Sequence, residues 1–147
     1  MRIHLCRHAE AQPGEPDELR ELTRAGRDGA ALLAERLASL DEPPRVVLTS
    51  PLTRARQTAE PVAERLGCDL LVREELAPGA TEDSLRAAVD GLAGPVAAVC
   101  HQPDCSGIML AVTGHDPGFQ VGDTFPLSAT AWKPSASRHC VRAERWV

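Results

Sequence analysis

Residues 2–10 read Arg2-Ile3-His4-Leu5-Cys6-Arg7-His8-Ala9-Glu10, an apolar run that empties into an arginine and a histidine. Ile3 to Cys6 has the composition of a buried strand. A histidine at the end of a first strand, beside an arginine, is a candidate for phosphoryl chemistry. Alone, such a pair is most often surface charge. Two later segments change its weight. Ser50-Pro51-Leu52-Thr53-Arg54 follows the apolar Val46–Thr49 and opens a helix with a second arginine. Cys100-His101-Gln102-Pro103-Asp104 follows the apolar Val96–Cys100 and brings a second histidine.

Working outward, the pattern alternates strand and helix. After the polar loop Ala9–Leu22, Thr23 can cap a helix reaching about Leu40. Its Ala30, Leu33, Leu37 and Leu40 step by three and four and share one face. Pro43-Pro44 blocks continuation. Val46 to Thr49 is a strand. Ser50 has N-cap chemistry, Pro51 suits the first helical position, and the helix runs to Leu66 with Gly67 as its stop. Asp69 to Val72 is a third strand. Thr81 caps a helix through Leu85, Ala88, Val89 and Leu92, ended by Gly94-Pro95. Val96 to Cys100 has no polar residue, as in the centre of a parallel sheet. A short helix covers Asp104 to Val112, and two more strands follow from about Thr124. This predicts an α/β fold: a three-layer α/β/α sandwich with a mostly parallel central sheet, in one domain over residues 1–147 without a large cap insertion. Ligands of such sheets bind beyond the carboxyl ends of the strands. Arg7, His8, Arg54 and His101 all fall on that rim.

Composition narrows the function. Hydrophobic residues are 43% and charged residues 25%, ordinary for a globular protein. No apolar run approaches the roughly 20 residues of a membrane span, and the start MRIHLCRHAE does not read as a signal peptide. The expectation is a cytoplasmic monomer with no membrane partner. A net charge of −5 argues against nucleic acid, but leaves room for a pocket dominated by a few arginines. Five cysteines without a CxxC pair argue against a disulfide framework. Cys100, His101 and Cys105 lack a partner cluster at zinc spacing. No metal and no cofactor are expected.

A phosphoryl group offers spread negative charge and several acceptor oxygens. Arginine meets it with a planar fork of donors, which suits Arg7 and Arg54. His101 can donate to the same oxygens and would bind best when protonated. His8 can attack phosphorus through a neutral ring nitrogen, giving a phosphohistidine that water hydrolyses. Arg56 lies two residues from Arg54, about 200° around a helix, and is assigned to solvent or a salt bridge. His4, His115 and His139 have no motif around them and are read as structural or surface residues.

RHAEA, LTRAG, LTSPLTRARQTAE, EELAPGA and HQPDCSGIMLAVTG, in that order and spacing, resemble the histidine phosphatase superfamily, also called phosphoglycerate-mutase-like, across about Ile3 to Gly114. The look is nearest to the small SixA-type phosphohistidine phosphatases. The opening is RHAEA where most branches read RHG, and the chain has no room for a long cap. Other branches place a glutamate proton donor two residues after the mid-chain leucine. Here Glu75-Leu76-Ala77-Pro78 puts proline there. The resemblance implies that His8 is the nucleophile, Arg7 and Arg54 the phosphate clamp, and His101 the second pocket histidine. It also implies glycine before that histidine and usually leucine after Pro-Asp, where this chain has Cys100 and Cys105.

A missing acid matters chemically. Expelling an alkoxide without a proton donor is hard, whereas imidazole leaves a phosphoramidate readily once its nitrogen is protonated. The first reading is therefore a phosphatase for phosphohistidine in a signalling or phosphocarrier protein. A second is a phosphomonoesterase for a small phosphorylated metabolite, with Glu74, Glu75, Glu82 or Asp83 supplying the acid. A third is a non-catalytic phosphate-binding module.

Overall fold

Parallel strands buried on both faces need apolar side chains in both directions, and β2 (Val46–Thr49) and β4 (Val96–Cys100) are buried along their whole lengths. The structure is a computed structural model and describes residues 1–128. Before and between those strands lie β1 (Arg2–Arg7), α1 (Arg24–Ala38), α2 (Thr53–Leu66), β3 (Asp69–Val72) and α3 (Glu82–Val89). After β4 come α4 (Asp104–Thr113) and β5 (Thr124–Ser128), and single 3₁₀ turns occur at Asp17–Leu19 and Glu74–Leu76. The sheet order is β3-β2-β4-β1-β5. The first four pair in parallel, and β5 runs antiparallel on the edge beside β1.

Alternation along each strand divides the core in two. Ile3, Leu5, Leu48, Ala98 and Cys100 pack toward α3 and α4 with Leu85, Ile108 and Val112. Cys6, Val47, Ala97 and Val99 pack toward α1 and α2 with Leu33, Leu37, Ala59 and Val62. The expected three-layer sandwich is therefore present. Each large side chain so buried contributes roughly 1.5–3 kcal/mol.

Thr23 caps α1 as expected, accepting from Gly26 N at 2.9 Å. That helix stops at Ala38, leaving Leu40 partly exposed. Gly67 ends α2 in the left-handed region at φ 65°. Two expectations need correction. The α2 helix begins at Thr53 with Leu52 at its cap position, not at Pro51 behind a Ser50 cap. Ser50 is instead held against His101, and its Oγ accepts from Leu52 N in the turn before the helix. The α3 helix stops at Val89, because Asp90 is extended and Gly91 takes φ 78°. Leu92 still packs on the core from outside the helix. Of the two late strands expected, β5 is found. The second, like His139, falls in residues 129–147, outside those described. Among the described residues, no helix is long and apolar enough to cross a membrane.

Candidate active site

The ends of β1 and β4 define the site. Arg7 pairs with Cys100 in the parallel ladder, so the chain leaves both strands at the same level. His8 N donates to Cys100 O at 3.1 Å, and the rings of His8 and His101 stand 5.3 Å apart at 57°. On the other side of β4, Ser50 N donates to Val99 O, which brings the start of α2 and Arg54 to the same rim. Topology thus gathers residues separated by up to 94 positions.

The two histidines are buried, with 9% of His8 and 2% of His101 exposed. Nδ1 of His8 lies 2.7 Å from the carbonyl of Ala9. A carbonyl only accepts, so the proton sits on Nδ1 and Nε2 keeps its lone pair. Burial lowers the His8 pKa to about 4, and Arg54, Arg7 and Arg20 reinforce that against the Ala9 bond. The ring is neutral at neutral pH. In His101 it is Nε2 that is engaged, 2.7 Å from Ser50 Oγ, while Nδ1 has no partner among the described residues. Burial, then His8 and Arg54, lower its pKa to about 3. His101 is therefore neutral in this structure, where the sequence reading favoured a protonated donor. An incoming anion would raise its pKa again.

The arginines are held from different sides. Arg7 Nη1 donates to Phe119 O at 2.9 Å, and the same turn closes on the strand through Gly122 N to His8 O at 3.1 Å. Arg54 is buried on the first turn of α2. Its Nη1 donates to Asp17 O at 2.8 Å and its Nη2 to Asp17 Oδ2 at 3.2 Å. The Nε–H groups of Arg7 and Arg54 are buried with no acceptor among the described residues. Such donors favour an anion, since leaving them unpaired is costly.

Several supporting residues escaped the sequence reading. Gln57 and Thr58 lie three and four positions after Arg54, on its face of the helix. Gln57 Oε1 accepts from Leu22 N at 2.9 Å, and Thr58 Oγ1 accepts from Ala9 N at 3.0 Å. One turn of α2 thus carries Arg54 and anchors both ends of the Ala9–Leu22 loop. Gly26 is where that loop touches α1: a β-carbon there would collide with the carbonyl of Glu10. Arg20, from the same loop, reaches both histidines electrostatically and binds Asp17 through Nε at 2.9 Å. The signal available was spacing, i, i+3 and i+4 from Arg54, and the LTRAG glycine. Arg56 is exposed, as expected.

Carboxylates are placed unevenly. Glu74, Glu75 and Asp83 are exposed. Glu82, Asp83 and Asp104 line a separate open cavity of about 530 Å³ between α3 and α4, to which none of the four rim residues contributes. Asp17 is the acid whose charge reaches His101. Its own pKa is lowered by the Arg20 hydrogen bond and by Arg54, so it is an ionised acceptor and not a stored proton.

The model of the histidine phosphatase superfamily, branch 1, matches residues 3–83. The chain belongs to the histidine phosphatase superfamily. Among solved structures, a SixA from Agrobacterium tumefaciens, provisionally assigned as a phosphohistidine phosphatase, is 30% identical with TM-score 0.73, covering 86% of this chain and 90% of that one. The protein histidine phosphatase SixA complexed with tungstate is 27% identical with TM-score 0.77, covering 87% and 88%. A mycobacterial glucosyl-3-phosphoglycerate phosphatase complexed with VO3 shares the fold at 20% identity and TM-score 0.73, covering 99% and 96%. No curated protein sequence matches. The chain is thus a histidine-type phosphatase.

This histidine phosphatase departs from the pattern at its cysteines. Cys100 points away from the rim into the core under α3 and α4. Its sulfur lies 3.1 Å from that of Cys105, which in turn donates to Cys6 O at 3.7 Å. Both thiols are fully buried, and the Cys105 pKa is raised by its bond to Cys100 and by burial. They fill space beneath the phosphatase pocket as small hydrophobes. Among the described residues, no group of three His, Cys, Asp or Glu side chains is placed to hold a metal ion.

Proposed function

We propose that this phosphatase removes the phosphoryl group from phosphohistidine in a protein, with His8 as nucleophile. Its Nε2 attacks phosphorus while the P–N bond to the leaving imidazole breaks. The imidazole takes a proton from solvent, and the phosphoryl group is now on His8. Water then attacks that phosphorus, giving inorganic phosphate and restoring neutral His8. Arg7 and Arg54 clamp the phosphoryl oxygens. His101 donates to the same oxygens once the bound anion has restored its proton. No metal or cofactor enters these steps.

The observation that carries the substrate reading is the state of the acids around the histidines. Pro78 stands where a donor glutamate would, and Asp17 is ionised between two arginines. Such a site favours a leaving group that needs little help. The likeness to SixA proteins at 27–30% identity supports the same reading.

The test compares turnover of a phosphohistidine-bearing phosphocarrier protein with a panel of small phosphomonoesters, all with EDTA present. We expect strong preference for phosphohistidine. Preference for an ester would replace the reading with a metabolite phosphatase and a carboxylate donor. No turnover of either would leave a phosphate-binding module. Activity that EDTA removes and a divalent ion restores would overturn the metal-free mechanism.

A further inference from the structure

Arg54, the phosphoryl clamp of the proposed function, already holds an anion in the structure. Two of its N–H groups go to a single residue, Asp17, one to the backbone carbonyl and one to the carboxylate. The partners differ sharply in setting: the Arg54 side chain is 7% exposed and the Asp17 side chain 57%. Asp17 also takes the Nε–H of Arg20, whose charge reaches both histidines. One carboxylate on a single 3₁₀ turn, Asp17–Leu19, thus takes donors from two arginines at the rim. Asp17 and Arg54 lie 37 positions apart, so the contact comes from tertiary folding.

We propose that Asp17 is an internal anion that gates this clamp: an arriving phosphoryl group takes over the Arg54 donors and displaces the Asp17 carboxylate toward solvent. The inference rests on the phosphoryl-binding role of Arg54. The exchange favours a phosphoryl dianion, because it can take both Arg54 donors with charged oxygens and carries twice the charge, whereas Asp17 offers one carboxylate oxygen and a neutral carbonyl. Singly charged anions gain less from the exchange, because they bring no more net charge than the Asp17 carboxylate they displace. Asp17 is then a specificity-determining residue. The exposed carboxylate leaves without crossing the core, and its loop remains tied down at Ala9 and Leu22 by Thr58 and Gln57.

The test is binding of inorganic phosphate, by calorimetry, to the intact protein and to Asp17→Asn. Removing a competing, partly exposed charge should tighten phosphate binding about two- to fivefold. In turnover assays the gain should appear as a lower KM with kcat held within about twofold. Weaker binding, or a kcat loss above about tenfold, would make Asp17 a positioning residue kept through the reaction and overturn the gate. Unchanged binding would overturn it as well.

A second measurement needs no variant. In the wild-type protein, saturating phosphate should increase amide hydrogen exchange in the Asp17–Arg20 turn, and slowed or unaltered exchange there would count against displacement. Phosphate that binds neither form even at high millimolar concentration would sink the clamp and the gate together. Phosphate that binds wild type but is indifferent to Asp17→Asn would sink the gate alone.

Discussion

The ends of β1 and β4 look like copies of one another, yet they present their histidines differently. Both strands are parallel neighbours, both end at the same level, and both deliver a buried, neutral imidazole. The β1 ring is pinned through Nδ1 by its own backbone, at Ala9 O, which leaves Nε2 free. The β4 ring is pinned through Nε2 by a side chain from a third strand end, Ser50, which leaves Nδ1. Which nitrogen is engaged decides what each ring can do. A nucleophile needs a lone pair held by a rigid local bond. A group that must gain a proton when an anion arrives is better held by a hydroxyl, which can donate or accept.

The comparison can be broken most sharply at His8. Substituting His8→Ala should reduce turnover at least about a thousandfold while leaving the fold intact by circular dichroism. Appreciable residual turnover would move the nucleophile elsewhere. The proposed clamp residue Arg54 comes next. Arg54→Ala should cost about a hundredfold or more in kcat/KM, and a loss below about fivefold would remove it from the clamp. On the β4 side, Ser50→Ala should cost about tenfold, the scale for a residue that only orients another's ring. If it matched His8→Ala, the two histidines would not have distinct roles.

Proton linkage sharpens the same comparison. Unfolded histidines take up protons near pH 6.5, whereas in the fold His8 waits until about 4 and His101 until about 3. Between those values the unfolded chain binds more protons, so stability falls as pH drops from 6.5 toward 3. Thermal midpoints at pH 7 and pH 4.5 should differ, and the gap should narrow in the His8→Ala variant. An equal gap in both would mean that His8 is not a buried neutral base. The smallest effect concerns the frame alone. Thr58→Val should lower stability by about 1–3 kcal/mol, because Ala9 N loses its buried acceptor. A stability unchanged within error would mean that the loop has another anchor.

Four strands and four helices could be located from the chain to within a few residues, because burial period and capping are local properties. Val96–Cys100 reads as a buried central strand, and Thr23 and Gly67 mark real helix ends. The strand-end rule also places His8, Arg54 and His101 on one rim without any distance. Ser50 shows where local reasoning stops. Its local chemistry suggests a helix cap, but His101, 51 positions away, engages the hydroxyl and the helix starts later, behind Leu52. Gln57 and Thr58 carry only a spacing signal from Arg54, which gives their face of the helix but not what they hold, and nothing in the neighbours of Arg20 reveals its partner.

What the sequence determined by itself is the layered α/β architecture and the placing of two histidines and two arginines along one rim of the sheet. These follow from apolar periodicity, turn residues and motif order. What only the tertiary structure decided is the state of those groups: which nitrogen of each ring is engaged, how far burial depresses each pKa, and that Asp17 already occupies Arg54. The reason is physical. A hydrogen bond or a desolvation cost depends on atoms brought within a few ångströms by the fold, and in this chain those atoms come from segments tens of residues apart.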